Sequence, residues 1–377
     1  MRLIRTGALP TRAKMPEALR QTQFEDIAGW AEDDHAAALA TFQRSAREVI
    51  AQGHGFRRQA AFGGGREDWL PICRAALEAE DARAYFENHF MPFRVSDSEN
   101  PQGLFTGYYE PEAEGRLVPD KRFRVPVYGK PNDLVTFTSE EIQATGLSYG
   151  RWQSGAPSVY FTRKEIEDGA LLGRGLEICY LESWIDAFFM HVQGSGRVNL
   201  PGGKVLRLSY AAKNGQPYTG IGSVLLARGI GTKENMSMQF LRNWMADNPH
   251  EARTLMWHNN SFVFFREVPV DDPALGAIGA AKVNLTPLRS LAVDRSHWMF
   301  GTPLFIQTHE PPEAAQGAVS FRHLMIAQDT GTAIKGLIRG DVYWGWGERA
   351  ALNAGHMKSK GDMVALLPHA VAARLVP

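Results

Sequence analysis

Apolar positions in the first hundred residues recur at the helical interval. Leu39, Phe42, Ala46, Val49 and Ile50 line one face, with Asp33 or Asp34 placed to cap it. Gly63, Gly64 and Gly65 break the pattern. It resumes from Trp69 to Ala79, then from Asp81 through Phe86 and Phe90 to a stop at Pro92. This helical preface holds no titratable cluster and is assigned no chemistry. From Leu104 the period shortens: GLFTGYYEPEAEG and RFRVPVYGKP read as strands cut by Gly and Pro. Short helices are predicted at Thr138 or Ser139 and after the capping box Thr162–Glu165. The stretch from Leu176 to Val198 is densely apolar and ends in a Gly194-Ser195-Gly196 turn. A strand after Leu206, a helix near Ser223–Arg228, a helix capped by Ser237 and the strand NSFVFFREV follow. The last hundred residues read as almost entirely β, with strands in TPLFIQT, FRHLMIAQD, DVYWG and MVALLP. Many short strands with Gly-rich turns suggest a small closed barrel. Linkers are expected near 111–116 and 198–204.

Composition narrows the classes. The chain has 377 residues, 44% of them hydrophobic, which fits about two domains and excludes extensive disorder. Its 41 basic and 41 acidic side chains cancel, which argues against a nucleic-acid groove but not against a neutral polysaccharide. Cys73 and Cys179 lie among apolar neighbours and read as buried structural thiols, without a disulfide framework or cysteine metal site. No apolar run approaches the ~20 residues that span a bilayer. The first twenty residues, interrupted by Arg2, Arg5, Arg12 and Lys14, show no export signal or lipidation cysteine.

Generic motifs contribute little. Gly345-Trp346-Gly347-Glu348-Arg349-Ala350 matches a dinucleotide fingerprint, but no second parallel strand with an acidic residue follows. Gln193 before Gly194-Ser195-Gly196 rules out a nucleophile elbow, and no paired-His zinc motif occurs. Neither cofactor nor metal is expected. The carboxylates near the C-terminus say more. Asp329 ends one apolar strand and Asp341 begins the next; a hairpin-like connection would put both on one rim, beside Tyr343, Trp344 and Trp346. Paired like charges raise one pKa, as a general acid requires, and aromatic rings suit sugar faces. The plainer alternative is that Asp329 caps a turn while Asp341 pairs with Arg339 or Lys335. A second cluster, TGYYEP with Thr106 and Tyr108 and HVQGSGR with Gln193 and Ser195, offers polar groups framed by glycine.

Taken together, LFTGYYEPE, DAFFMHVQGSGRVNLPGG, YAAKNGQPYTGIG, SMQFLRNWMADNP, GAIGAAKVNLTPLRSLAVD and AQDTGTAIKGLIRGDVYWGWG resemble, in order, the lytic murein transglycosylase A (MltA) family. The resemblance implies a mainly β protein: a double-psi β-barrel of residues 1–110 and 200–377, N-terminal helices, and an inserted smaller β domain at 111–199. A three-aspartate segment at about 275–368 would carry Asp294, Asp329 and Asp341. The implied reaction cleaves the β-1,4 MurNAc–GlcNAc bond of peptidoglycan and leaves 1,6-anhydromuramic ends. Asp341 would be the catalytic residue and Asp329 its partner. Thr106, Gln193 and Ser195 would line the glycan groove, with Tyr108, Asp294 and Tyr343 as further substrate contacts. Implied partners are peptidoglycan strands and other cell-wall enzymes, in the periplasm or at the outer membrane. Thr332-Ala333 departs from the family's usual Gly-Ala. A hydrolase on the same barrel and a non-catalytic, expansin-like wall-binding module remain alternatives.

Overall fold

The computed structural model describes residues 18–375 apart from 54–55, 57–59, 99–101, 234, 271, 312–318 and 332. The basic residues near the start and Thr332 therefore lie outside the described residues. The chain divides into two compact units. One runs to Tyr109 and resumes at Ala274, and the other is Glu110–Pro273.

The first unit opens with strand β1 (Leu19–Gln21) and helices α1 (His35–Ile50), α2 (Arg66–Glu78) and α3 (Ala82–His89). Asp34 caps α1 by accepting the Ala37 N–H at 3.0 Å. The third helix stops three residues before the expected Pro92, and Phe90–Val95 continues as strand β2. Pairing explains the switch: the strand lies between β1 and the chain's last strand, and Phe90, Phe93 and Val95 are buried there. Strand β3 (Gly103–Glu110) carries TGYYE and ends at Glu110, where the chain passes to the second unit.

The second unit contains strands β4 (Glu112–Arg116), β5 (Val125–Tyr128), β6 (Val135–Thr136), β7 (Tyr149–Gln153), β8 (Ala156–Ser158), β9 (Glu177–Leu181), β10 (Ser195–Leu200), β11 (Lys204–Lys213) and β12 (Val263–Val268). Its helices are α4 (Ser139–Thr145), α5 (Trp184–Gln193), α6 (Ile221–Ala227), α7 (Met238–Asp247) and α8 (Pro249–Trp257). Six strands order as β12-β11-β10-β4-β9-β5, and β6-β7-β8 form a separate sheet. Both expected linkers are thus structured: 112–116 is a strand and 198–204 a β10–β11 hairpin. That hairpin and β12 carry one sheet past residue 200, so the unit ends at Pro273 and not at 199. The apolar run after Leu176 holds a helix, α5. Ser183 caps it at Ile185 N (3.1 Å), and Gly194 ends it in the left-handed region at φ 74°.

The first unit then resumes with β13 (Ser290–Val293), β14 (Pro303–His309), β15 (Ser320–Asp329), β16 (Arg339–Trp346), helix α9 (Gly347–His356) and β17 (Lys358–Pro368). The tail, expected to be almost entirely β, also holds a ten-residue helix, whose Ala350, Asn353 and Ala354 face inward. The sheet order is β1-β2-β17-β14-β15-β13-β16-β3, and β17 also pairs with β3. Phe42, Trp69 and Phe86 of the helical layer pack on Phe90, Phe305, Leu324, Ile326, Val364 and Leu366 of the sheet. Asp33 fastens this layer: Arg289 Nη1 and Nη2 reach its carboxylate at 2.8 and 2.9 Å, His323 Nδ1 at 3.0 Å and Leu324 N at 2.7 Å. Among the described residues no helix is long and apolar enough to cross a membrane. The fold is mainly β with a set of helices.

Candidate functional site

The strand order corrects the expected hairpin. Asp329 and Asp341 are not on neighbouring strands, because β13 lies between β15 and β16. Ala292 of β13 pairs with Asp329 on one side and Asp341 on the other. In-register neighbours project to the same face, so both carboxyls flank one methyl group, two strand spacings or about 9–10 Å apart at the backbone. They do share a neighbourhood, by a different route from the one their spacing suggested.

Strand β3 completes the cluster beside β16. Alternation puts Thr106 and Tyr108 on one face and Gly107 on the other. A Cβ at Gly107 would lie 2.7 Å from the Trp344 ring and the Ala354 Cα, so only glycine lets β3 approach there. Thr106 Oγ1 donates to Asp341 Oδ1 at 2.5 Å and accepts from Arg339 Nη2 at 2.7 Å. The Tyr108 hydroxyl donates to Asp329 Oδ2 at 3.1 Å. Asp329 Oδ1 accepts the N–H groups of Ala280 (3.0 Å) and Thr330 (2.9 Å).

Burial governs the electrostatics. Desolvation pushes the Asp341 carboxyl above the usual carboxylate range, and the Asp329 charge pushes the same way; the Thr106 hydrogen bond and the Arg339 guanidinium oppose it. Asp329 is also raised by burial, against its two N–H donors, Tyr108 and Lys282. The Tyr108 phenol is driven well up by burial and by both aspartates. Such a cluster can hold a proton on a carboxyl group at neutral pH and stabilise that group when it ionises. Burial pushes the Cys73 and Cys179 thiols up to about 12, which leaves both as inert packing groups.

The other expected site residues separate. Tyr343 and Trp344 are buried at 1% and 8% exposure, so neither is an open sugar platform. The Tyr343 ring instead supports Tyr108 at a centroid distance of 5.2 Å. Asp294 is buried inside the 329–341 connection, where it accepts from Ser296 N (2.9 Å) and Gly336 N (3.0 Å), with Lys335 at 3.7 Å. Burial opposes ionisation of Asp294, but these donors hold it below the usual range. It braces the loop that carries the two other aspartates. Lys335 thus pairs with Asp294, and Arg339 reaches Asp341 through Thr106.

In the second unit, Gln193 ends α5 with Nε2 3.8 Å from Met238 Sδ, and Ser195 opens β10 beyond the Gly194 cap. Sequence pattern had not disclosed Ala280, Lys282 or Ala292 as site residues. Arg339 was legible only as a charge near Asp341; its i, i+2 spacing on a strand puts both on one face.

Two family models match the chain. One, described as the MltA specific insert domain, covers residues 104–266, and the 3D domain covers 289–367. The membrane-bound lytic murein transglycosylase A of Vibrio cholerae is 39% identical over 263 residues, 68% of this chain and 63% of that protein. The chain thus aligns with somewhat less than two thirds of that relative. The crystal structure of a membrane-bound lytic murein transglycosylase from Agrobacterium tumefaciens matches with TM-score 0.84 at 35% identity, over 95% of this chain and 99% of that one. The crystal structure of E. coli MltA with bound chitohexaose matches with TM-score 0.67 at 28% identity, over 89% of each chain. The chain belongs to the membrane-bound lytic murein transglycosylase A family.

Proposed function

We propose that this protein is a lytic transglycosylase. It cleaves the β-1,4 bond between N-acetylmuramic acid and N-acetylglucosamine in peptidoglycan and closes a 1,6-anhydro ring on the muramic acid. The observation that carries this reading is the buried Asp341 carboxyl, raised by desolvation and bonded to Thr106, in a chain of this family. Asp341 serves twice. As an acid it protonates the glycosidic oxygen, and the bond from that oxygen to the muramic C1 breaks. As a carboxylate it then takes the proton of the C6 hydroxyl while that oxygen bonds to C1. The carboxyl is regenerated and no water is consumed.

An attacking hydroxyl on the same sugar has a high effective molarity, worth up to ~7–11 kcal/mol in ideal geometry, so no second base for water is needed. Asp329 then tunes and orients through its charge and Tyr108. Gln193 and Ser195 are assigned to glycan binding as polar groups framed by glycine; a glycan as the ligand is supported by the chitohexaose bound to the E. coli relative. We read the first unit's sheet as a double-psi β-barrel; the return of β17 onto β3 and the parallel β13–β15 pair support this. A periplasmic or outer-membrane location is supported by relatives named membrane-bound.

Mass spectrometry of murein digested by the purified protein tests the reaction. Anhydromuramic ends are the expected product. New reducing ends would make the protein a hydrolase, and no new ends would make it a wall-binding module.

A further inference from the structure

We infer that Arg339 is a positioning residue for the general acid: acting through the Thr106 hydroxyl, it fixes which oxygen of Asp341 carries the proton. The inference rests on the reading of Asp341 as the acid. Its basis is donor arithmetic. A guanidinium donates and never accepts, whereas a hydroxyl has one proton and two lone pairs. Arg339 Nη2 stands 2.7 Å from Thr106 Oγ1, so it occupies a lone pair of that oxygen. The Thr106 proton is thereby directed at its other close neighbour, Asp341 Oδ1, 2.5 Å away. Oδ1 is then committed as an acceptor, and the acidic proton resides on Oδ2.

Arg339 is itself fixed. Its Nη1 donates to the carbonyls of Leu104 on β3 and Gly340 on β16, which hold the fork against Asp341's own strand and the neighbouring one. Hydrogen bonds to ionised acceptors are roughly twice as strong as neutral ones. The Arg339–Thr106–Asp341 line therefore strengthens as Asp341 gives up its proton, which is when stabilisation lowers the barrier. The groups facing Asp341 are Arg339 on its own strand, Thr106 and Tyr108 from β3, and Asp329 from β15, with Lys282 beside Asp329. Of these, Arg339 and Thr106 favour the ionised carboxyl, and Asp329 opposes it.

The experiment is the pH profile of anhydro-end formation for R339Q, R339K, T106V and the double variant T106V/R339Q. Asp341 acts as an acid only while protonated, so activity falls as pH rises through its pKa. Loss of the Arg339 charge raises that pKa and moves the alkaline limb up by about one pH unit. Turnover on the plateau falls roughly 10–100-fold with KM unchanged. R339K restores charge but not the planar fork, so it returns the limb toward wild type without restoring full turnover. T106V moves the limb in the same direction, and the double variant moves it by less than the sum of the two, because the residues act in series. An unmoved limb in R339Q, or additive shifts in the double variant, would overturn the inference. Should R339Q not fold, T106V and R339K carry the same decision. D341N run alongside separates the two levels: anhydro ends from that variant would sink the assignment of the acid itself.

Discussion

Replacing Asp329 by asparagine isolates what the second carboxylate does for the first. The fold around it should persist. Asparagine Oδ1 keeps the two N–H donors of Ala280 and Thr330, and its amide can donate to the Tyr108 oxygen, which now meets Asp329 Oδ2 at 3.1 Å. What disappears is a charge two strand spacings from Asp341 across Ala292, about 10 Å at the backbone. Two unit charges at that distance and an effective dielectric of about 20 interact by roughly 1.7 kcal/mol, or about 1.2 pH units. The Asp329 charge opposes ionisation of Asp341, so its removal eases ionisation. D329N should therefore move the alkaline limb of anhydro-end formation down by about one pH unit and leave the low-pH plateau within about tenfold of wild type. The coupled, broadened limb of the pair should also sharpen to a single titration. The assay is product quantification by liquid chromatography and mass spectrometry at half-unit pH steps, with circular dichroism to verify folding. A limb that stays in place would show that the two carboxyls do not communicate. Loss of turnover at every pH in a folded variant would move the acid to Asp329.

Other substitutions test the framework. Asp33→Asn leaves Arg289 buried against an amide that cannot accept all the donors converging on Asp33; a loss of about 3–5 kcal/mol, or roughly 6–20 °C in Tm, is expected, and a change under about 2 °C would show that Asp33 does not fasten the helical layer. Burial pushes Asp33 up, but His323, Arg289 and the Leu324 N–H hold it well below the ordinary 3.8. Its contribution is thus present above that value and lost as pH falls through the depressed one, so the Tm gap between wild type and D33N should narrow in strong acid. Ala292→Leu puts three extra carbons between the two aspartates; overpacking of about 1–3 kcal/mol and loss of turnover are expected, and full activity would contradict the shared face. Gln193→Ala should weaken chitooligosaccharide binding by roughly 1–3 kcal/mol in calorimetry, and unchanged binding with unchanged turnover would remove Gln193 from the site.

The sequence disclosed this molecule unevenly, for physical reasons. The α1 face, its cap to within Asp33 or Asp34, the start of α4 to within Thr138 or Ser139, the Thr162 and Ser237 caps, and the strands ending at Asp329 and containing Asp341 were legible because local periodicity and capping chemistry determine them. Helix α5 was not, since Trp184 to Val192 is apolar almost all round and yields no clear helical stripe. Pro92 looked like a helix stop but sits in β2, where pairing with β17 outweighs local preference. Strand β13, four buried residues long, was too short to announce itself, yet it separates β15 from β16. Missing it turned a three-strand arrangement into a presumed hairpin. Arg339 was legible only as a charge two residues from Asp341; its bond to Thr106 depends on β3 lying beside β16, and Ala280 reaches Asp329 from a turn 49 residues away, contacts that no local signal encodes. Tyr343 was expected beside sugar because aromatic identity is readable from sequence, whereas its 1% exposure is a tertiary fact.

The central claim is that Asp341 alone moves the protons of bond cleavage and ring closure. Asp341→Asn keeps the side chain's shape and can still accept the Thr106 hydrogen bond through Oδ1, but it can neither give nor take the required proton. The decisive measurement is the rate of 1,6-anhydromuramic end formation from purified murein by D341N, counted by mass spectrometry, with chitooligosaccharide binding and the melting curve recorded on the same sample. The account predicts a folded protein that binds glycan as wild type does and forms anhydro ends several orders of magnitude more slowly. Anhydro ends at a near-normal rate from D341N would contradict it.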